Sequence, residues 1–269
     1  MKNLGFMQGR LVPDERNKIQ SFPWQNWKKE FQLAKKLKLN IMEWTIDYEK
    51  FSKNPINNNE GRKIIRKLSR SNNLKIKSIT CDFFMQSPYF FSKNRETFIK
   101  LKTLINNASK LKIKFLVLPL VDNGSIKNKY HENKFVKMTL ELKKILKKNN
   151  MSIVFESDYN PKKLFNFIKK FPKRIYGLNY DIGNSAGLGV NIKDEFLYFK
   201  RVLNIHLKDK KDNVSVDLGK GTAQFKELFN FFEKINYKGN FILQTARNRN
   251  NLDIMRKNVK FITKRLWKK

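Results

Sequence analysis

The chain has 269 residues, of which 40% are hydrophobic and 13% aromatic, so it can bury a substantial core and is not intrinsically disordered. Cys81 is its one cysteine, which excludes an internal disulfide framework, and no apolar run approaches the roughly 18 residues that a membrane span needs. The N-terminal residues are too interrupted to form the apolar region of a signal peptide, so we expect a soluble, cytoplasmic protein.

The net charge of +35 at pH 7 is the most unusual property of the composition. A nucleic-acid-binding protein would concentrate such charge in a tail or stripe, whereas here lysines occur in nearly every segment. Lysine, asparagine, isoleucine and phenylalanine share AT-rich codons, which accounts for the composition without a polyanion. We therefore expect no specific nucleic-acid partner, no membrane partner and only weak non-specific attraction of anions.

Short apolar runs alternate with amphipathic segments along the whole chain. The runs read as buried parallel strands at residues 4–7, 41–45, 76–81, 115–120, 152–156, 175–181, 202–207 and 240–244. Apolar residues at helical spacing lie between them. The first such stripe follows Pro23 and consists of Trp24, Trp27, Phe31, Ala34 and Leu37.

Eight strands alternating with about eight helices in roughly 250 residues predict an α/β protein of the (β/α)₈ TIM-barrel type. No linker or composition break divides the chain, so we expect one domain over residues 1–269. The main alternative is a doubly wound sheet, which would normally hold fewer strands. No Gly-x-Gly-x-x-Gly follows any of the strands, as dinucleotide-binding sheets of that kind would have.

Polar residues at the carboxyl ends of the strands are the candidate site, because TIM barrels carry their chemistry there. Glu156, Asp181 and His206 end three consecutive strands, and Gln244 ends the last. Two carboxylates and an imidazole suit Mn²⁺, Mg²⁺ or Co²⁺, with Zn²⁺ as a further option, and Gln244 could add a neutral oxygen. The alternative is that each carboxylate pairs with a lysine and His206 is a structural barrel residue.

Six segments of the chain together resemble a known family. They read GFMQGR, IMEW, FESD, NYDIGN, NIHLKD and LGKG at residues 5–10, 41–44, 155–158, 179–184, 204–209 and 218–221. Their order and register are similar to those of the xylose isomerase-like TIM-barrel family of sugar-phosphate isomerases and epimerases, relatives of endonuclease IV. The resemblance covers essentially the whole chain. It implies a divalent metal held by Glu156, Asp181, His206 and Gln244.

Gln244 departs from the family pattern, in which this position is a second metal-bound glutamate. Glutamine is neither a general base nor a proton donor at neutral pH, so Glu156 remains as the carboxylate that moves the proton. The resemblance therefore implies a metal-dependent sugar or sugar-phosphate isomerase or epimerase that transfers a proton next to a carbonyl through an enediolate. The departure disfavours epimerisation and favours an isomerase, a lyase-type reaction or a lost activity. Glu43 is either a second catalytic or hydroxyl-binding residue or part of a buried salt bridge.

The candidate substrate-binding residues lie on the loops that follow the strands. They are Arg10, Asn184, Lys208, Asp209, Lys220 and Arg247, with Asp209 also a candidate for orienting the site from behind. The partner would be a sugar or sugar phosphate, and a homo-oligomer stays open. Two alternatives remain: a non-catalytic sugar-binding barrel, for which Gln244 argues, and a DNA repair enzyme like endonuclease IV. Two histidines are too few for the zinc cluster of the latter.

Overall fold

A computed structural model describes residues 3–13, 20–91, 95–212, 214–245 and 251–266 of the chain. Ten strands alternate with helices in this part of the chain. The strands are β1 Leu4–Met7, β2 Ile41–Thr45, β3 Lys75–Thr80, β4 Phe115–Leu120, β5 Ser152–Ser157, β6 Tyr176–Asp181, β7 Val202–Leu207, β8 Asp209–Lys211, β9 Val214–Val216 and β10 Asn240–Leu243.

Eight of these strands form a closed parallel barrel in the order β1-β10-β7-β6-β5-β4-β3-β2. β1 pairs with both β2 and β10, which closes the ring. β8 and β9 form a separate antiparallel hairpin directly after β7. The predicted TIM barrel is therefore confirmed, and the carboxyl ends of its strands meet at one mouth.

Helices surround the barrel. They are α1 Lys29–Lys36, α2 Asn59–Ser71, α3 Asp82–Gln86, α4 Glu96–Ser109, α5 Lys129–Leu140, α6 Lys143–Asn149, α7 Pro161–Ile168, α8 Ile182–Gly187, α9 Ile192–Glu195, α10 Phe225–Lys234 and α11 Asn251–Leu266, with short 3₁₀ turns at Phe51–Lys53, Pro55–Asn57, Asp122–Gly124 and Phe196–Arg201. None of these helices is both long enough and apolar enough to cross a membrane.

The first helix begins later than its apolar stripe predicts. Residues 24–28 form turns, and the helix starts at Lys29. The ring of Trp27 packs against Trp44 of β2, with 5.6 Å between the ring centroids, and lies 6.4 Å from that of Phe22. Tertiary aromatic packing therefore places Trp27 in the core without a helix, and helical spacing alone misjudged this segment.

The aromatic core outside the barrel sets the direction of the site residues. Phe155 on β5 is fully buried and packs against Phe167 and Phe171, with ring centroids 5.7 and 4.8 Å away. Neighbouring side chains on a strand point to opposite faces, so Glu156 points into the barrel. Tyr180 packs outward against Phe199 in the same way, and Asp181 after it points inward.

Candidate metal and catalytic site

Glu156, Asp181 and His206 meet at the barrel mouth, as their positions at consecutive strand ends predicted. All three are buried, and each offers a ligand atom within 4.8 Å of the other two. Asp181 and His206 are directly paired across β6 and β7. Among the residues that the structure describes, this is the one group of three or more acidic, histidine or cysteine side chains arranged to hold a metal ion.

The Glu156 carboxylate is held by amides and by the imidazole. Its Oε1 accepts a hydrogen bond from Asn184 Nδ2 at 2.7 Å, and its Oε2 accepts one from Asn179 Nδ2 at 2.9 Å. His206 Nδ1 lies 3.2 Å from the same Oε2 atom. These neutral amide donors fix the orientation of the carboxylate without neutralising its charge.

Glu43 lies behind the imidazole of His206. Its Oε1 is 2.7 Å from His206 Nε2, and its Oε2 accepts hydrogen bonds from Ser78 Oγ and Asn204 Nδ2. The side chain of Glu43 is 0% exposed. The structure thus places Glu43 in a buried ion pair with His206. A carboxylate on the far nitrogen leaves Nδ1 directed at the site, which is how metal-binding histidines are commonly oriented.

Charges within this buried cluster shift the pKa values of two of its members. Burial by itself lowers the pKa of His206, but Glu43 and Glu156 together raise it well above its usual value. Burial also raises the pKa of Asp181, as does Glu156, while Lys208 and His206 act in the opposite direction. Asp181 is thus costly to keep ionised in this cluster, and a bound cation would relieve that cost.

Two buried oxygen atoms of the predicted metal ligands are left without a hydrogen-bond donor. Within the described residues, neither Asp181 Oδ2 nor Gln244 Oε1 has a hydrogen-bond partner, although both atoms are buried. The second Asp181 oxygen accepts a bond from the backbone N–H of Asn184 at 2.9 Å. Buried oxygens normally find donors, so Asp181 Oδ2, in one cluster with Glu156 and His206, is consistent with a cation ligand.

A chain of hydrogen bonds sets the orientation of the Gln244 amide. Asp82, the first residue of α3, accepts two bonds from Gln20 Nε2, at 2.8 and 2.7 Å. Gln20 therefore turns its Oε1 towards Gln244 Nε2, 3.1 Å away, and towards Arg10 Nη2 at 3.2 Å. With its nitrogen used in this way, Gln244 has its oxygen left for another partner.

The other predicted site residues occupy varied positions. Arg10 is buried and contacts Gln20, and Asn184 links the carboxylates of Glu156 and Asp181. Asp209 is 0% exposed and accepts bonds from four backbone N–H groups. Lys208 is half-buried and Lys220 exposed, while Arg247 lies outside the described residues.

Sequence reasoning missed a buried polar layer beneath the triad. Asn204 Nδ2 donates to Asn179 Oδ1 at 2.7 Å and to Glu43, and Asn179 lies 3.1 Å from His206 Nδ1. The sequence does contain a signal for this layer, because alternate residues of a strand point to the same face. Asn179 precedes Asp181 by two residues and Asn204 precedes His206 by two, so each pair shares the inner face of its strand.

The model of the xylose isomerase-like TIM-barrel family matches residues 31–265, so the chain belongs to that family. No curated protein sequence matches it significantly. Among solved structures, 3-keto-D-glucoside 4-epimerase YcjR from E. coli is similar at 12% identity, with a TM-score of 0.73 over 97% of this chain and 99% of that one.

Two further structures share the fold. IolI protein, solved with a zinc atom, is 13% identical with a TM-score of 0.74, over 99% of this chain and 100% of that one. D-psicose 3-epimerase, solved in the presence of D-fructose, is 12% identical with a TM-score of 0.73, over 98% and 99% of the two chains. At these identities the likeness establishes the fold.

Proposed function

We propose that this protein is a metal-dependent sugar isomerase or epimerase. The observation that carries the proposal is the buried group of Glu156, Asp181 and His206 at the barrel mouth, with an Asp181 oxygen that has no donor among the described residues. Two of the similar structures are sugar epimerases by name and one was solved with zinc, which supports the same chemistry.

The ion would be held by Glu156, Asp181, His206 and the side-chain oxygen of Gln244. When bound, a divalent cation polarises a carbonyl and stabilises the negative charge that develops when the neighbouring carbon loses its proton. Three charged or imidazole ligands and one neutral oxygen suit Mn²⁺, Mg²⁺, Co²⁺ or Zn²⁺. Glu43 acts as a positioning residue, because it touches His206 and is closed off from the mouth.

Glu156 moves the proton. Its carboxylate removes the proton from the carbon beside the carbonyl and returns it to the adjacent carbon on the same face of the sugar, while the hydroxyl proton passes to the former carbonyl oxygen. Gln244 cannot supply a second base on the opposite face, so transfer on one face, an aldose–ketose isomerisation, is favoured over epimerisation. Asn184 and Asn179 keep the Glu156 oxygens in place during the transfer.

The experiment is proton NMR in D₂O with Mn²⁺-loaded protein and a panel of ketoses and their phosphates. We expect solvent deuterium at the carbon next to the carbonyl of the true substrate. Glu156→Gln should abolish the exchange while the protein still binds Mn²⁺. The control is Glu132→Gln, since Glu132 is a buried glutamate outside the barrel whose partners are Lys129, Lys170 and the hydroxyl of Tyr159.

The results also separate the alternatives. Exchange at a near-normal rate in Glu156→Gln would show that another group is the base. Sugar binding without exchange in the metal-loaded wild type would indicate a non-catalytic barrel. Cleavage of abasic-site DNA would indicate a repair enzyme.

A further inference from the structure

The turn that joins β6 to α8 carries two of the contacts that build the candidate metal cluster of Glu156, Asp181 and His206. β6 ends at Asp181, and α8 begins at the next residue. Asp181 Oδ1 accepts the backbone N–H of Asn184 at 2.9 Å, and the side chain of Asn184 donates to Glu156 Oε1 at 2.7 Å. The orientation of both carboxylates therefore depends on how this turn is held.

A single buried carboxylate, that of Glu195, holds the outer side of the same region. Glu195 is the last residue of α9 and is 4% exposed. Its Oε2 accepts a hydrogen bond from the hydroxyl of Tyr180, and its Oε1 accepts one from the hydroxyl of Tyr198, both at 2.6 Å. Hydroxyl groups lie about 2.5–2.7 Å from an ionised acceptor in the strong, charge-assisted class of hydrogen bonds. Glu195 thus fixes the residue that directly precedes Asp181.

The strand period carries this restraint from the outside of the barrel to the inside. Tyr180 and Asp181 are neighbours on β6, so their side chains point to opposite faces. A tyrosine has only two side-chain torsions, so holding its hydroxyl restrains the backbone from which Asp181 departs. Glu195 also lines a narrow cavity together with Glu156 and Asp181, so the anchor and the cluster border the same small space.

Glu195 is a buried carboxylate without a cation beside it. In the part of the chain that the structure describes, no lysine, arginine or histidine forms an ion pair with it. Burial raises its pKa, and hydrogen bonds from Tyr180, Tyr198 and Ser185 act in the opposite direction. Burying such a charge is costly, and apolar replacements of buried ionic groups are often neutral or stabilising. Stability alone therefore does not account for Glu195, whereas a strong bond to Tyr180 does.

We propose that Glu195 is a positioning residue for the candidate metal cluster, because it holds Tyr180 from outside the barrel and so sets Asp181 and the turn into α8. This inference rests on the proposed function, since it concerns the cluster that would hold the ion. If it is right, Glu195 and Tyr180 act as one unit. Loss of either residue should then weaken ion binding, and loss of both should weaken it no further.

The test is titration of Mn²⁺, followed by electron paramagnetic resonance, into Glu195→Gln, Tyr180→Phe and the double variant. We expect each single variant to raise the Kd about tenfold, the low end of the effect of groups that orient metal ligands, and the double variant to match them. The zero-field splitting of the bound ion should change as well, because it reports the arrangement of the ligands. The control is Glu132→Gln, since Glu132 also accepts a bond from a buried tyrosine, but Tyr159 is not in a barrel strand. It should leave the Kd within twofold of the wild type.

An unchanged Kd and an unchanged splitting in Glu195→Gln would overturn the proposal, even if urea unfolding showed a loss of stability, because an anchor that is merely structural gives that result. Effects that add in the double variant would also overturn it, since the two residues would then act separately.

A metal-free measurement separates this proposal from the proposed function. If the wild type binds no Mn²⁺, the metal function fails, and NMR of the side-chain amide of Asn184 decides the role of Glu195. That amide donates to Glu156, and its signal is assigned by its absence in Asn184→Ser. A shift of the signal in Glu195→Gln and Tyr180→Phe, but not in Glu132→Gln, supports the positioning role, and an unmoved signal refutes it.

Discussion

Replacing Glu43 by glutamine removes one negative charge from behind His206 without changing the size of the side chain. In one orientation the new amide nitrogen faces Asn204 Nδ2, which is 2.9 Å from the present Oε2, and two donors then oppose each other. In the other orientation the nitrogen faces His206 Nε2 at 2.7 Å. His206 must then accept at Nε2 and carry its proton on Nδ1, the nitrogen directed at Glu156.

The magnitude follows from the bonds that are lost. The pair is completely buried, so solvent does not screen it. A hydrogen bond to a charged group contributes about 1.5–3 kcal/mol, and every 1.4 kcal/mol is about a tenfold change in affinity. Loss of such a partner behind a metal-binding histidine commonly lowers metal affinity about 10–100-fold. We expect Glu43→Gln to raise the Kd for Mn²⁺ by that factor.

The assay is titration of Mn²⁺ followed by electron paramagnetic resonance. The matched control is Glu30→Gln, because Glu30 is also fully buried but accepts hydrogen bonds from the backbone of Gly9 and Leu11. It should lower the free energy of unfolding and leave the Mn²⁺ affinity within twofold. If Glu43→Gln bound Mn²⁺ as the wild type does, the assignment of His206 as a metal ligand oriented by Glu43 would be refuted.

Two further predictions concern the hydrogen-bond chain that ends at Gln244. Burial, and then Asp47, raises the pKa of Asp82 from 3.8 to about 7, so the folded state holds this proton more tightly than the unfolded chain does. As pH rises from about 4 to 7, the free energy of unfolding of the wild type should fall by up to about 1.4 kcal/mol per pH unit relative to that of Asp82→Asn. Urea unfolding of both proteins at pH 5, 6 and 7 measures this difference, and parallel pH profiles of the two would contradict the prediction. Gln244→Glu adds a negative ligand and should lower the Kd for Mn²⁺, measured by the electron paramagnetic resonance titration described above. The Gln20 amide must then turn over to donate to the new carboxylate, so it loses its two bonds to Asp82. An unchanged Kd would show that residue 244 does not face the ion.

The strands could be predicted closely because buried parallel strands are continuous apolar runs with a clear beginning and end. The predicted ranges 4–7, 41–45, 115–120 and 202–207 agree with the structure at both ends. The first helix was placed less well, because Trp24 and Trp27 are apolar at helical spacing but reach the core from turns. Spacing records which residues are buried, and it does not record which backbone conformation buries them.

The site could be predicted only at the level of individual strand ends. Glu156, Asp181 and His206 end neighbouring strands, so closure of the barrel brings them together as expected. The contact between Glu43 and His206 joins residues 163 positions apart. It depends on the stagger of strands across the barrel interior, which local pattern does not show. The hydrogen-bond partners of Asp209 could not be predicted for the same reason, since they lie in a loop up to 14 residues away.

The charge of the chain and the charge of the site have opposite signs, and burial is what lets them coexist. A net charge of +35 attracts anions over about a Debye length, roughly 8 Å at physiological salt, and repels divalent cations over the same range. The acidic residues of the site are buried, namely Glu43, Glu156 and Asp181. Solvent screens their interactions less than it screens those of the surface lysines, so the site can hold a cation despite the positive charge of the chain.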